Sequence, residues 1–253
     1  MDLIEKHSGN NIVVWGRNAT VGTALEELYQ YDQALDWYAI LGSSGAKLDV
    51  TSSSASDAAA GTGARTIRIT GLDPSYAFQS EDLTMNGQTI VQSAKTWTDV
   101  FGADVLTHGT GKVNAGDIHI VKTGTGGTYT TGVPGTLTSA ICKILAGWCT
   151  SANGHWVTPA TGKGTSQYRL DCIHASAYTQ SAALLVCTQD PWATDQSLHV
   201  ECVLGIGATG MVPPIDMSKA GIVLPEKRAI RLRPLGAAAS AVVQATMLLT
   251  RVS

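Results

Sequence analysis

The feature that most restricts the fold of this chain is a series of short strand-like segments broken by turn residues at close, regular intervals. Residues 65–70, Arg-Thr-Ile-Arg-Ile-Thr, show it plainly. Ile67 and Ile69 fall on one face and Thr66, Arg68 and Thr70 on the other, the period of two that a half-buried strand requires. Similar segments occupy residues 11–16, 78–85, 88–92, 95–107 and 117–122. A second set follows at 140–148, 168–175, 182–188, 198–206, 221–224, 229–233 and 242–251. Turn signals separate them, among them Asp73-Pro74, Asn86-Gly87 and Asn114-Ala115-Gly116. Strands spaced by roughly 8–12 residues point to β-sandwiches, not to alternating β and α units.

Two local expectations follow. Asn86-Gly87 predicts a two-residue hairpin joining 78–85 to 88–92. A helix is expected within 20–31, where Leu25, Leu28 and Tyr29 lie at i, i+3 and i+4 and Thr23 stands three residues before Glu26, the spacing of a capping box. Residues 37–41 read as another strand or an extended arm. The chain is therefore expected to be all-β, with two β-sandwich regions. Residues 1–46 form an N-terminal arm of a strand plus a short helix, 47–135 a first sandwich region, and 136–253 a second one of jelly-roll type.

Composition narrows the function. Charged residues make up 15% of the chain, Gly occurs 27 times and Phe twice. A surface this poor in charge suits a protein whose faces are covered by partners. The net charge of −3 argues against a nucleic-acid partner, which needs clustered cations. The nearest cluster, Glu226-Lys227-Arg228 with Arg231 and Arg233, reads as a solvated strand edge whose cations discourage edge pairing. Residues 1–7 lack the apolar stretch of a secretory leader, and the apolar runs at 182–187 and 221–224 are far too short to cross a bilayer. These features predict a soluble, cytoplasmically made protein with no membrane partner. Five cysteines cannot pair completely, and Cys172, Cys187 and Cys202 lie in apolar runs, so reduced core thiols are expected.

No catalytic, cofactor-binding or metal constellation emerges. Gly109-Thr110-Gly111-Lys112 and Thr161-Gly162-Lys163-Gly164-Thr165 lack the Ser or Thr that must follow a P-loop lysine, and read as turns. Cys172 and His174 share a strand face, but His199 and Cys202 point to opposite faces, short of the ligands a tetrahedral metal needs. Glu81 and Asp82 are adjacent and so diverge, whereas glycoside hydrolysis needs two facing carboxylates. Asp99 with Asp104, and Asp190 with Asp195, have no built-in convergence. The chain is therefore not expected to be an enzyme. Trp15, Arg17, Tyr29, Tyr31, Trp37 and Tyr38 instead concentrate in the arm. They either cap a core or form an interface with a neighbouring subunit, where Trp, Tyr and Arg carry most binding energy.

Several segments resemble virion structural proteins of tailed bacteriophages, of the capsid decoration (cement) or head-fibre type. Residues 50–73 match a strand ending in Ser52-Ser53-Ser54-Ala55-Ser56-Asp57, a crossing through Ala60-Gly61-Thr62-Gly63-Ala64-Arg65, and a strand closing with Gly71-Leu72-Asp73. Leu83-Thr84-Met85-Asn86-Gly87 and Asn114-Ala115-Gly116-Asp117-Ile118-His119-Ile120 are similar to later motifs of those proteins. Residues 18–28 look like their N-terminal arm, and 222–233 like their penultimate strand. Residues 141–215 carry no such likeness. The resemblance implies a non-enzymatic protein on the capsid exterior, assembled in the host cytoplasm. Its partners would be the major capsid protein and other copies of itself in a homotrimer. The alternative it leaves is a head or tail fibre that binds a host receptor or glycan.

Overall fold

The computed structural model describes residues 11–24, 26, 28, 37–160, 167–190, 198–208, 210–238 and 240–252. Its strands in chain order begin with β1 (Asn11–Val21), β2 (Leu48–Ser52), β3 (Ala64–Leu72), β4 (Phe78–Thr84), β5 (Val91–Gln92) and β6 (Asp99–His108). There follow β7 (Ile118–Lys122), β8 (Tyr129–Thr130), β9 (Val133–Pro134), β10 (Ala140–Ile144), β11 (His155–Val157) and β12 (Tyr168–Tyr178). The last are β13 (Ala182–Gln189), β14 (Leu198–Ile206), β15 (Met211–Asp216), β16 (Val223–Leu224), β17 (Ala229–Gly236) and β18 (Ala241–Arg251). One short helix, α1 (Trp37–Leu41), occurs among the described residues. The protein is all-β, and every strand pairing among the described residues is antiparallel.

The chain divides into two units, but not at the boundaries the sequence suggests. The first comprises residues 1–34 with 153–253, and the second residues 35–152. In the first unit, one sheet has the order β1-β18-β12-β15 and the other β11-β17-β13-β14. This is the strand order of a jelly roll, in which two Greek keys share a core. The expected arm is thus a sheet strand: β1 pairs along β18 from Asn11↔Thr250 to Val21↔Ala241. The reason is the alternation in β1, which buries Ile12, Val14 and Val21 while leaving Val13, Trp15 and Arg17 half-buried. β18 alternates in the same way, burying Ala241, Val243, Ala245, Met247 and Leu249. The opposite sheet contributes Trp156, Leu184, Val186, Ile230 and Leu232, all fully buried.

In chain order, the second unit is inserted within an edge of the first. Along the same side of β17, Glu26 N–H donates to Pro234 O and Leu28 N–H to Leu232 O, each at 3.1 Å. β11 then continues that side with His155↔Arg231, Trp156↔Ile230 and Val157↔Ala229. At the junction Gly154 N–H donates to Leu28 O at 2.9 Å, although 125 residues (29–153) intervene in the chain. Residues 26 and 28, with 154–157, therefore line one side of β17 on either side of the insertion. Gly154 and Gly16 are both required there. A Cβ on Gly16 would lie 2.7 Å from Gly154 Cα, and one on Gly154 would lie 2.8 Å from Leu28 Cβ.

The described residues between 22 and 28 are not helical; Leu25, Tyr29 and Tyr31 lie outside the described residues. Glu26 does reach back, but across a bend: its carboxylate accepts Gly22 N–H at 2.8 Å and Asn18 Nδ2–H at 3.0 Å. Residues 37–41 form α1 instead of a strand. The 78–85/88–92 hairpin does not form. Asn86-Gly87 makes a turn, with Gly87 at φ +59° and Thr89 N–H on Asn86 O, but the chain then changes sheet. β4 pairs with β3, and β5 pairs with β2. Nor is β17 a solvated edge. Paired on both sides, it leaves Arg231 only 4% exposed.

The second unit contains the sheets β10-β7-β2-β5 and β4-β3-β6, with the hairpin β8-β9. Ile67 and Ile69 of β3 are fully buried, as their alternation predicts, and join Leu48, Val50, Trp97, Ile118, Ile120 and Ile144 in the core. Ala46↔Trp97 bridges the chain ahead of β2 to the chain ahead of β6. None of the five cysteines is in a disulfide. Cys142 and Cys187 are buried, and the others are half-buried.

Candidate functional site

Three places collect polar or aromatic side chains. The first is a buried knot in the second unit, assembled from the motif segments noted above. Asp57 is fully buried at the end of the Ser52–Asp57 segment. Its Oδ1 accepts Ala64 N–H at 2.7 Å and Ala115 N–H at 2.8 Å. Its Oδ2 accepts the Ser52 hydroxyl at 2.6 Å and Gly116 N–H at 2.9 Å. Asp57 O also accepts Gly87 N–H at 2.7 Å. One residue thus ties together the Ser-rich turn, the Gly63-Ala64 crossing, the Asn86-Gly87 turn and the Asn114-Ala115-Gly116 turn. Glycine at 63 follows from the knot, since a Cβ there would lie 2.1 Å from Asp57 Oδ1. Asn114 extends it, donating to Gly116 O and Leu145 O at 2.8 Å and accepting Cys149 N–H at 3.0 Å. A carboxylate with four donors and no exposed surface holds loops; it has no access to a substrate.

Other acidic residues act in the same structural way. Glu81 receives Ala94 and Lys95 N–H, and Asp82 forms a two-pronged pair with Arg68 at 2.6 and 2.8 Å. That pair, chiefly through its hydrogen bond, lowers the Asp82 carboxyl below its ordinary range. His119 on β7 faces Thr51 of β2 and Lys143 of β10. Burial, then the Lys143 charge, depresses its imidazole to about 4 against the opposing pull of Asp117. Tyr129 is pushed up to about 12, mainly by burial. Among the described residues no group of three or more His, Cys, Asp or Glu could hold a metal. No described helix is long and apolar enough to cross a membrane.

The second place is the outer face of the β1-β18-β12 sheet, where two of the six expected interface residues lie. Residues directly opposite one another share a face. Trp15, Thr246 and His174 form one row, Val13, Leu248 and Cys172 a second, and Arg17, Gln244 and Ser176 a third. Trp15 and Arg17 are thus carried by a strand paired along β18. Trp37 and Tyr38 belong to α1, but their side chains lie outside the described residues, as do Tyr29 and Tyr31. Large apolar side chains are exposed elsewhere in this unit: Val200 and Val203 on β14, Met211 on β15 and Tyr178 at the end of β12.

The third place is a depression of about 370 Å³ where the end of β13, the start of β14 and the β16–β17 turn meet. Thr188, His199, Glu201 and Arg228 line it, with Val223 and Pro225 as an apolar wall. The residue pattern 198–206 gave no sign of it, because Glu201 sits at a register shift between β13 and β14 that regular alternation does not reveal.

No family model matches the chain, and no curated protein matches it. Among solved structures, a chain of the T13 IBDV viral particle, a structure described as revealing a missing link in icosahedral virus evolution, is 10% identical to this one. The match covers 83% of this chain and 59% of that one, at a TM-score of 0.18. A likeness of that TM-score carries no argument about fold or function.

Proposed function

We propose that this chain is a non-enzymatic virion structural protein of a tailed bacteriophage, one that decorates and cements the capsid by bridging major capsid subunits. The observation that carries the reading is the set of segments resembling such proteins, whose pieces at 52–57, 61–65, 86–87 and 114–116 meet around Asp57. Pieces scattered along the sequence thereby become one structural device, and a likeness that follows such a device is harder to attribute to chance turn composition. Low charge and the exposed apolar side chains of β14 and β15 support a subunit that is covered by neighbours. The reading places the protein on the capsid exterior after assembly in the host cytoplasm, as a homotrimer at local three-fold positions. Trp15 and Arg17 then belong to the docking face. Many weak contacts acting together would resist internal pressure.

A head or tail fibre that binds a host receptor or glycan is the second reading, favoured by the polar depression beside β14. The copy number per purified particle, measured by mass spectrometry against the major capsid protein, separates the two. A simple lattice ratio to the coat protein, in hundreds of copies by order of magnitude, is the expected result for multivalent cementing. A few copies per particle would remove cementing and leave the fibre.

A further inference from the structure

Glu201 holds its place through an irregularity in the sheet. Along β13 and β14, Val186 pairs with Cys202 and Cys187 with Val200, so Glu201 is the extra residue of a β-bulge. Bulges on outer strands re-aim a side chain that a regular ladder would direct elsewhere, and they recur beside binding sites. β14 is the outer strand of its sheet. The re-aimed carboxylate is then fixed, because the Thr188 hydroxyl donates to Glu201 Oε1 at 2.6 Å while Thr188 itself is only 6% exposed. A carboxylate held through one oxygen keeps lone pairs on the other for a ligand.

The rest of the lining comes from the β16 strand and the β16–β17 turn. Arg228 N–H donates to Pro225 O at 3.3 Å, and Arg228 O accepts Thr158 N–H at 3.0 Å, which anchors the backbone that carries the guanidinium. Lys227 sits at φ +61°, the left-handed residue that makes the turn tight, and its N–H donates to Thr158 O at 2.9 Å. Val223, 41% exposed, and Pro225 supply an apolar ledge beside these polar groups.

We propose that this depression is a binding site for one neutral saccharide unit. Glu201 and Arg228 offset each other in charge, so a strongly charged ligand gains one attraction and meets one repulsion. A sugar ring, by contrast, offers hydroxyls that donate to a carboxylate and accept from a guanidinium, with an apolar C–H face that suits the Val223–Pro225 ledge. Thr188 and His199 add a hydroxyl and an imidazole to the same rim. A volume of about 370 Å³ stands near the lower end for ligand pockets, enough for a single ring whose attached glycan continues outward. The site does not depend on the cementing role, and particle copy number does not test it.

The test is saturation-transfer difference NMR on the full chain. The probes are the methyl pyranosides of glucose, galactose, mannose, rhamnose and N-acetylglucosamine at about 10 mM, a concentration that detects millimolar binding. Glucuronate, N-acetylneuraminate and inorganic phosphate serve as anionic probes. The expected result is transfer to at least one neutral pyranoside, strongest at the C–H protons of one ring face. Glu201→Ala and Arg228→Met should each weaken binding at least about tenfold. Glu201→Gln, which can still accept from Thr188, keeps the bulge supported and separates charge from architecture; melting curves of all three variants verify folding. No transfer to any neutral pyranoside would overturn the proposal, as would transfer that Glu201→Ala leaves unchanged. Binding confined to the anionic probes would overturn it as well.

Discussion

A carboxylate withdrawn from water must have its lone pairs met by donors, and Asp57 meets this through one hydroxyl and three backbone N–H groups at 2.6–2.9 Å. Asn at this position would keep the shape but turn one acceptor oxygen into a donor facing N–H or O–H groups. We expect Asp57→Asn to destabilise the second unit by about 3 kcal/mol, the scale of a broken buried charged hydrogen-bond network, read from its urea midpoint. A loss below about 0.5 kcal/mol would show that the knot does not hold the loops. His119 makes a second case. Its imidazole titrates near 4 in the folded unit against 6.5 for the unperturbed group. Between those values the unfolded chain takes up a proton that the folded unit refuses. Stability from this residue is therefore complete above about pH 6.5 and declines as the pH falls toward 4. The span corresponds to a loss on the order of 3 kcal/mol. Thermal melts of wild type and His119→Gln across this window should diverge, with the variant the less sensitive to acid. Parallel curves would contradict the assignment.

At the scale of elements, alternation and pairing carry different information. The buried positions of β3 and β18 follow their period of two, because a pleated strand must send neighbours to opposite faces. Which strand lies beside which is set by longer-range closure. Asn86-Gly87 supplies a tight turn with positive φ, yet β4 finds a better neighbour in β3, through Ile67↔Leu83 and Arg68↔Asp82, than in β5. The 20–31 segment shows the same contest. Leu25, Leu28 and Tyr29 have helical spacing, but the β17 carbonyls at Leu232 and Pro234 take the N–H groups of Leu28 and Glu26 instead. Tertiary hydrogen bonds outweigh a two-turn helix propensity, which is marginal alone. Trp15 and Arg17 gain their presentation from the same source, the pairing of β1 with β18.

At the scale of the whole molecule, the notable feature is an edge of the first unit interrupted by the second. Leu28 and Gly154 are hydrogen-bonded neighbours in the first unit, so the residues between them can leave and return without disturbing the jelly roll. Insertions succeed where the two chain ends lie close together. The second unit has its own buried core, including Leu48, Ile67, Trp97, Ile118 and Ile144. We expect residues 35–152, expressed alone, to unfold cooperatively in urea with dispersed amide resonances. Residues 1–28 joined by a short Gly-Ser linker to 153–253 should do the same. A collapsed, poorly dispersed spectrum from either piece would show that its core is not self-sufficient.

The sequence by itself determined the all-β class, the positions of most strands and the inward faces of β3 and β18, because these depend on the two-residue period and on turn residues a few positions apart. It also displayed the motif pieces around Asp57, though not that they meet. The tertiary structure decided what depends on contacts distant in the chain. It joined β1 to β18, lined β17 with residues from either side of the second unit, and buried Arg231 between paired strands. It also placed Glu201 at a bulge. Each of these rests on a hydrogen-bond partner or register shift supplied by residues far away in sequence. Local periodicity fixes how a strand faces its core; only closure of the sheets fixes its neighbour.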